Sequence, residues 1–218
     1  MDNKKEIKRL LSELTEYQGI PATDIPDIAL YMDQVTTFMD KKLKVFKRRD
    51  DDRILTKTMI NNYTKARLSI PPVNKKYEKE HIMLLTLIYH MKQILSANDM
   101  KKLFGPVINK IDNAEDTSYS AENLYGIFTA MEKEQLELFD ANVNEIITQL
   151  SSNSDLKDAT KKEFMIMFIL TLVIQAERRK NLAEKLIDVF FSEPQEQKDK
   201  KKDEDKGKEK PKQKNTKK

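Results

Sequence analysis

Apolar residues recur at helical spacing along most of this chain, punctuated by prolines, glycines and charge runs. Ile7, Leu10, Leu11 and Leu14 form one stripe and predict a short amphipathic helix over 3–15. Gly19, Pro21 and Pro26 break the chain after it. A second helix is predicted from about 27 to 45, carried by Ile28, Leu30, Tyr31, Val35, Phe38, Met39 and Leu43. The charged stretch 46–53 reads as a loop. A third helix, 56–68, turns Met59, Ile60, Tyr63 and Leu68 inward, with Leu55 just ahead of it. Pro71 and Pro72 stop it, because proline offers no amide and restricts the residue before it. Residues 70–78 then read as a short extended turn or hairpin.

Ile82, Leu85, Leu87, Ile88, Met91, Ile94 and Leu95 predict a helix over 79–95. Ser96 caps a further helix over 97–104, with Asp99 standing where a capping box usually has Glu. Residues 105–120 form a polar connector. Behind Ser120 a long helix is predicted over 121–150, with Leu124, Phe128, Met131, Phe139, Val143, Ile146 and Leu150 as its stripe. The last helix, 159–191, begins with a run from Phe164 to Ile174 that is apolar on every side. Such a helix needs cover all round, which one partner helix cannot give. A homodimer contact on this pair of helices is therefore expected. Past Pro194 the chain carries no apolar side chain, and the tail 192–218 is expected to be disordered.

Composition removes most enzyme chemistries. The chain has no cysteine, which excludes disulfides, thiol nucleophiles and thiolate metal sites. His81 and His90 are its two histidines, and their spacing on one helix sends them in different directions, so no metal site and no histidine-based triad is expected. The four glycines assemble no phosphate loop. No cofactor and no catalytic residue is expected. The longest apolar run is about half the roughly 18 residues of a membrane span, and the first residues do not form a secretory signal, so the expected setting is the cytoplasm without a membrane.

Charge changes the picture more. Residues 41–79 carry thirteen basic and four acidic side chains, a net +9, whereas residues 1–40 are net −4 and residues 80–191 net −5. Positive charge gathered in one internal segment is the footprint expected of phosphate binding. Residues 27–95, which contain that segment, also have the order of a helix-turn-helix: a first helix, a second with a polar outer face, and a third behind both. Thr56, Lys57, Thr58, Asn61, Asn62, Lys65 and Arg67 fall on the outer side of the second. Asn can bond an adenine edge twice, Lys and Arg reach guanine or phosphate, and Thr touches phosphate or a thymine methyl.

The run from Leu55 to Leu103 resembles the DNA-binding domain of MerR-family regulators. Met59-Ile60-Asn61-Asn62-Tyr63 leads to Leu68, Pro71 and Pro72. Tyr77-Glu78-Lys79-Glu80 opens a long apolar helix, and the serine-capped run Ser96-Ala97-Asn98-Asp99-Met100-Lys101-Lys102-Leu103 closes the pattern. Asn61 and Asn62 stand where that family has arginine and tyrosine, and the loop 46–53 replaces its tight turn. The wider span from about Ile25 to Phe191 resembles an uncharacterised bacterial family, a domain of unknown function of low-GC Gram-positive bacteria, through IPDIALYMDQVTTFM and LTKTMINNYTKARLSIPP.

These resemblances imply an all-α protein: an N-terminal arm (1–24), a MerR-like winged helix-turn-helix (25–104), the connector (105–120), a helical dimerisation and effector region (121–191) and the tail. They imply a transcriptional regulator that binds double-stranded DNA. Thr56, Lys57, Thr58, Asn61 and Asn62 would meet bases or phosphates, and Tyr63 would aim its hydroxyl at a phosphate. Lys65 and Arg67 would hold the backbone, Lys75 and Lys76 would reach from the wing at 70–78, and Arg48 and Arg49 would clamp flanking phosphates. A small-molecule effector could sit among Met131, Met165 and Met167, though methionines at such spacing are more often core filler. The competing reading is a helical protein-interaction module without specific DNA binding.

Overall fold

The computed structural model describes residues 3–113 and 120–191. The expected disordered tail, and the end of the connector at 114–119, lie outside the described residues. The fold is mostly helical, with seven α-helices and one two-stranded antiparallel sheet among the described residues. In chain order these are α1 (Asn3–Thr15), β1 (Leu30–Tyr31), α2 (Met32–Lys42), α3 (Lys57–Lys65), β2 (Lys76–Tyr77), α4 (Lys79–Met91), α5 (Ala97–Asn113), α6 (Ala121–Ser152) and α7 (Lys161–Phe190).

Two apolar cores organise them. The first is centred on α4, whose residues from His81 to Tyr89 are all buried. Val35 and Met39 of α2, Ile60 of α3, Met100, Phe104 and Ile108 of α5, and Ala121 and Tyr125 of α6 close around it. The Tyr125 hydroxyl donates to the Ile20 carbonyl at 2.7 Å, tying the chain ahead of β1 to α6. The second core joins Ile7 and Leu11 of α1 to Val143, Ile146 and Ile147 of α6 and Phe168 of α7. The N-terminal arm thus packs with the last two helices.

The caps at Ser96 and Ser120 form as the sequence predicts. Ser120 Oγ accepts the Asn123 amide at 3.1 Å. Ser96 Oγ accepts the Asp99 amide and donates to the Asp99 carboxylate, so aspartate completes this start in its own way. Thr160 and Glu163 form a full capping box on α7.

Four elements differ from expectation, the first being the helix over 56–68, which ends at Lys65 ahead of the prolines expected to stop it. The helix expected from residue 27 begins only at Met32, because Leu30 and Tyr31 pair with Tyr77 and Lys76 as a strand. The helix over 79–95 ends at Met91 and closes through turns. The helix expected to stop at 104 continues to Asn113, through Gly105 and Pro106. Proline forfeits one helical hydrogen bond, yet Met100, Phe104 and Ile108 bury at four-residue spacing across it, and glycine ahead of it has no Cβ to clash. Burial outweighs the lost bond.

Candidate nucleic-acid interface

The basic segment folds into three exposed pieces: the outer face of α3, a hairpin after it, and the loop before it. Thr56 starts α3 as its N-cap, its hydroxyl accepting the Met59 amide at 3.2 Å. That bond commits the Thr56 oxygen to the helix. Thr58, Asn61, Asn62 and Lys65 are exposed, while Ile60 is buried against the first core. Tyr63 is half-buried and packs on that core, and burial raises its hydroxyl pKa. Lys57 is exposed but forms an ion pair with Asp33 of α2. Asp33, Asp40, Arg53 and Lys57 line a shallow groove of about 400 Å³ beside the start of α3.

The end of α3 is a Schellman motif. The Leu68 amide bonds the Tyr63 carbonyl at 2.9 Å and the Arg67 amide bonds the Thr64 carbonyl at 3.0 Å. The motif needs a left-handed residue, usually glycine, and here that residue is Arg67 with φ 57°.

The stretch 70–78, expected as a wing, holds a two-residue hairpin. Val73 and Lys76 exchange both backbone hydrogen bonds, at 3.1 and 2.9 Å, around Asn74 (φ 52°) and Lys75 (φ 63°). Two positive φ values define a type I′ turn, which favours Asn followed by Gly. Asn74 fits, but Lys75 occupies the glycine position. Lys76 lies with its Nζ 5.3 Å from the centre of the Tyr31 ring. His81 staples the hairpin to α4: its Nδ1 accepts the Glu78 amide at 3.0 Å, leaving Nε2 to donate to the Pro71 carbonyl at 3.0 Å.

Asp40 holds the loop. Its carboxylate accepts Lys47 Nζ at 2.7 Å and the Ile54 amide at 3.0 Å, with Arg53 at 3.4 Å. Burial pushes the Asp40 carboxyl up, but the Lys47 and Ile54 hydrogen bonds and the Lys47 and Arg53 charges outweigh it and hold the pKa below the usual range. Asp52 accepts the backbone amides of Arg48 and Arg49 at 3.0 and 2.9 Å. That acid therefore shapes the turn, and both guanidinium groups stay exposed.

The structure thus brings Thr58, Asn61, Asn62, Lys65 and Arg67 onto one short helix and its cap, sets Lys75 and Lys76 on the hairpin and leaves Arg48 and Arg49 on the loop. Sequence reading missed Asp33, Asp40 and His81, which hold these pieces. The three methionines proposed around an effector separate: Met165 packs in the second core, whereas Met131 and Met167 are exposed.

The first core spans Ile20 to Tyr125, with Phe128 packed against it. The family described as a domain of unknown function (DUF1836) matches residues 20–128, half of the chain. The chain belongs to this family. No curated protein and no solved structure matches it. No helix among the described residues is long and apolar enough to cross a membrane.

Proposed function

We propose that this chain is a sequence-specific transcriptional regulator that reads double-stranded DNA with α3 and the hairpin wing, in the manner of a MerR-like winged helix-turn-helix. One observation carries the reading: Arg67 and Lys75, two exposed cations, occupy left-handed backbone positions where glycine is the easier residue. Each such position costs a side-chain-bearing residue of order 1 kcal/mol. Neither cation has an acidic partner within ion-pair distance among the described residues. A cation kept at a backbone cost, at the end of α3 and again at the tip of the hairpin, is a cation wanted for its charge. Asn61, Asn62 and Thr58 between them supply side chains suited to base edges.

The test is selection from fragmented genomic DNA at roughly 150 mM salt, where non-specific phosphate binding is weakened. The expected result is a small set of fragments sharing an inverted repeat with half-sites about one helical turn apart. Replacing Lys75 and Lys76 by Ala should weaken binding on all sequences alike and flatten the salt slope by up to about two units. Equal recovery of every fragment, or of none, overturns the reading.

A second reading is a protein-interaction module. The Asp33–Lys57 ion pair favours it, because Asp33 sets a carboxylate beside the first turn of α3, where a phosphate would approach. Selection that recovers no DNA, with a basic protein partner held through Asp33, would favour this reading.

A further inference from the structure

The second core covers only one side of α7. Phe164, Met165, Phe168 and Leu172 face α1 and α6. On the opposite side Ile166 (55% exposed), Met167, Ile169, Leu170 (47%), Val173 (54%) and Ile174 lie open to solvent. Their spacing of three and four residues makes them one continuous stripe along the helix. We propose that this face is the interface with a second copy of the same chain, the two α7 helices pairing antiparallel about a twofold axis at about Leu170.

Area and the symmetry of the stripe both select this occupant. Six side chains, each about half exposed, offer roughly 600 Å² per copy, at the upper end of what a monomer leaves uncovered. With the flanking charged side chains the contact approaches the roughly 800 Å² per partner of a stable interface. A twofold contact requires the surface to match itself. About an axis at Leu170 the stripe maps onto itself: Ile166 meets Ile174 of the second copy, Met167 meets its Val173, and the two Leu170 side chains meet each other. The apolar stripe ends in charge: Lys162 and Glu163 before it, Glu177 and Arg178 after it. About that axis Lys162 faces Arg178 and Glu163 faces Glu177, so the apolar stripe and not the flanking charge carries the pairing. The inference supplies the twofold pair that an inverted repeat requires, and it is measured without DNA, so its failure and that of the nucleic-acid reading are distinguishable.

The absence of cysteine makes the register directly testable in the full chain, since one introduced thiol is the sole thiol. Wild-type protein should sediment at twice the 25.5 kDa chain mass. Leu170→Cys should cross-link to itself under mild oxidation, because facing Cα atoms at the axis come within disulfide reach. Glu177→Cys alone should not, since its two copies would lie roughly 20 Å apart along the helices. Lys162→Cys mixed with Arg178→Cys should cross-link as a heterodimer. Leu170→Glu should sediment as a monomer with unchanged far-UV circular dichroism. A wild-type monomer at every concentration, or capture by phosphatidylcholine–phosphatidylglycerol vesicles in place of self-association, overturns the proposal. Self-cross-linking of Glu177→Cys overturns the antiparallel register.

Discussion

Replacing Arg67 and Lys75 by glycine should raise stability and lower DNA affinity together. Both residues sit at positive φ, 57° and 63°. An L-residue pays about 1–2 kcal/mol there relative to the right-handed region. Glycine removes that cost but gives back roughly 0.5–1 kcal/mol, because its unfolded chain has more freedom to lose. The net gain is about 0.5–1 kcal/mol at each position. The sites are separate turns, so the double variant should gain about 1–2 kcal/mol. For a chain of this size that raises the thermal midpoint by roughly 2–8 °C. Urea titration should give the same increment with an unchanged slope. On DNA, each lost phosphate contact should reduce the salt slope by about one unit. Alanine at the same positions separates the causes: it removes the charge and keeps the backbone cost, so it should weaken binding without the stability gain. A double glycine variant that is more stable and binds DNA with an unaltered salt slope would refute the reasoning that the cations are kept for phosphate. A less stable one would refute the backbone argument itself.

Two further predictions concern groups that hold the frame. Burial lowers the His90 pKa from 6.5 to about 4 and raises that of Glu132, its neighbour at 3.6 Å. Below pH 6.5 the unfolded chain protonates His90 before the folded one does, so stability should fall by about 2 kcal/mol from pH 7 to 5. Glu132 opposes this, since a raised carboxyl pKa contributes stability that is lost as pH rises. Denaturation of His90→Leu at both pH values should show that fall largely gone, and an undiminished fall would exclude His90 as its source. Asp40→Asn should cost about 1–3 kcal/mol, because two cations and the Ile54 amide lose a charged acceptor. Proteolysis should then cut within 47–53 sooner than in wild type, and unchanged cleavage would show that Asp40 does not anchor the loop.

What the sequence made legible was local. The stripes of α4 and α6 and the caps at Ser96 and Ser120 each depend on residues within a turn or two of one another. What it hid depends on partners far along the chain. Leu30 and Tyr31 carry a pattern that fits the start of a helix equally well. They become a strand only because Lys76 and Tyr77 return beside them. Asp40 resembles any exposed acid of a helix until the loop brings Lys47, Arg53 and the Ile54 amide to it. The left-handed cations were hidden differently. Neither Arg67 nor Lys75 is a residue that signals positive φ, so the two positions that best support the interface look ordinary in the sequence. The continuation of α5 was missed for the opposite reason. Gly105 and Pro106 form a strong local stop signal, and only burial of Ile108 overrides it.

The boundary of the family match has a physical counterpart in α6. The first core ends in its opening turns, at Ala121 and Tyr125, and the second begins at Val143. Between them the helix continues without a break for 32 residues in all, a rod of roughly 48 Å. The join is specific: Gly19, at φ 78°, passes so close to Glu132 that a Cβ there would collide with the carboxylate, and Glu132 in turn lies against His90 of α4. The positive φ at 19 favours glycine, and any larger residue there would push the Glu132 carboxylate aside. A flexible linker between the cores would let each act alone. A continuous helix, fastened at its middle to α4 and to the chain ahead of β1, makes the α7 face and the α3–wing face parts of one lever. If copies pair through α7 and read DNA through α3, the length and tilt of α6 set the distance between their reading heads. Half-site spacing is then a property of this helix, and a one-turn insertion within 133–142 should change the preferred spacing while leaving each half-site sequence as it was.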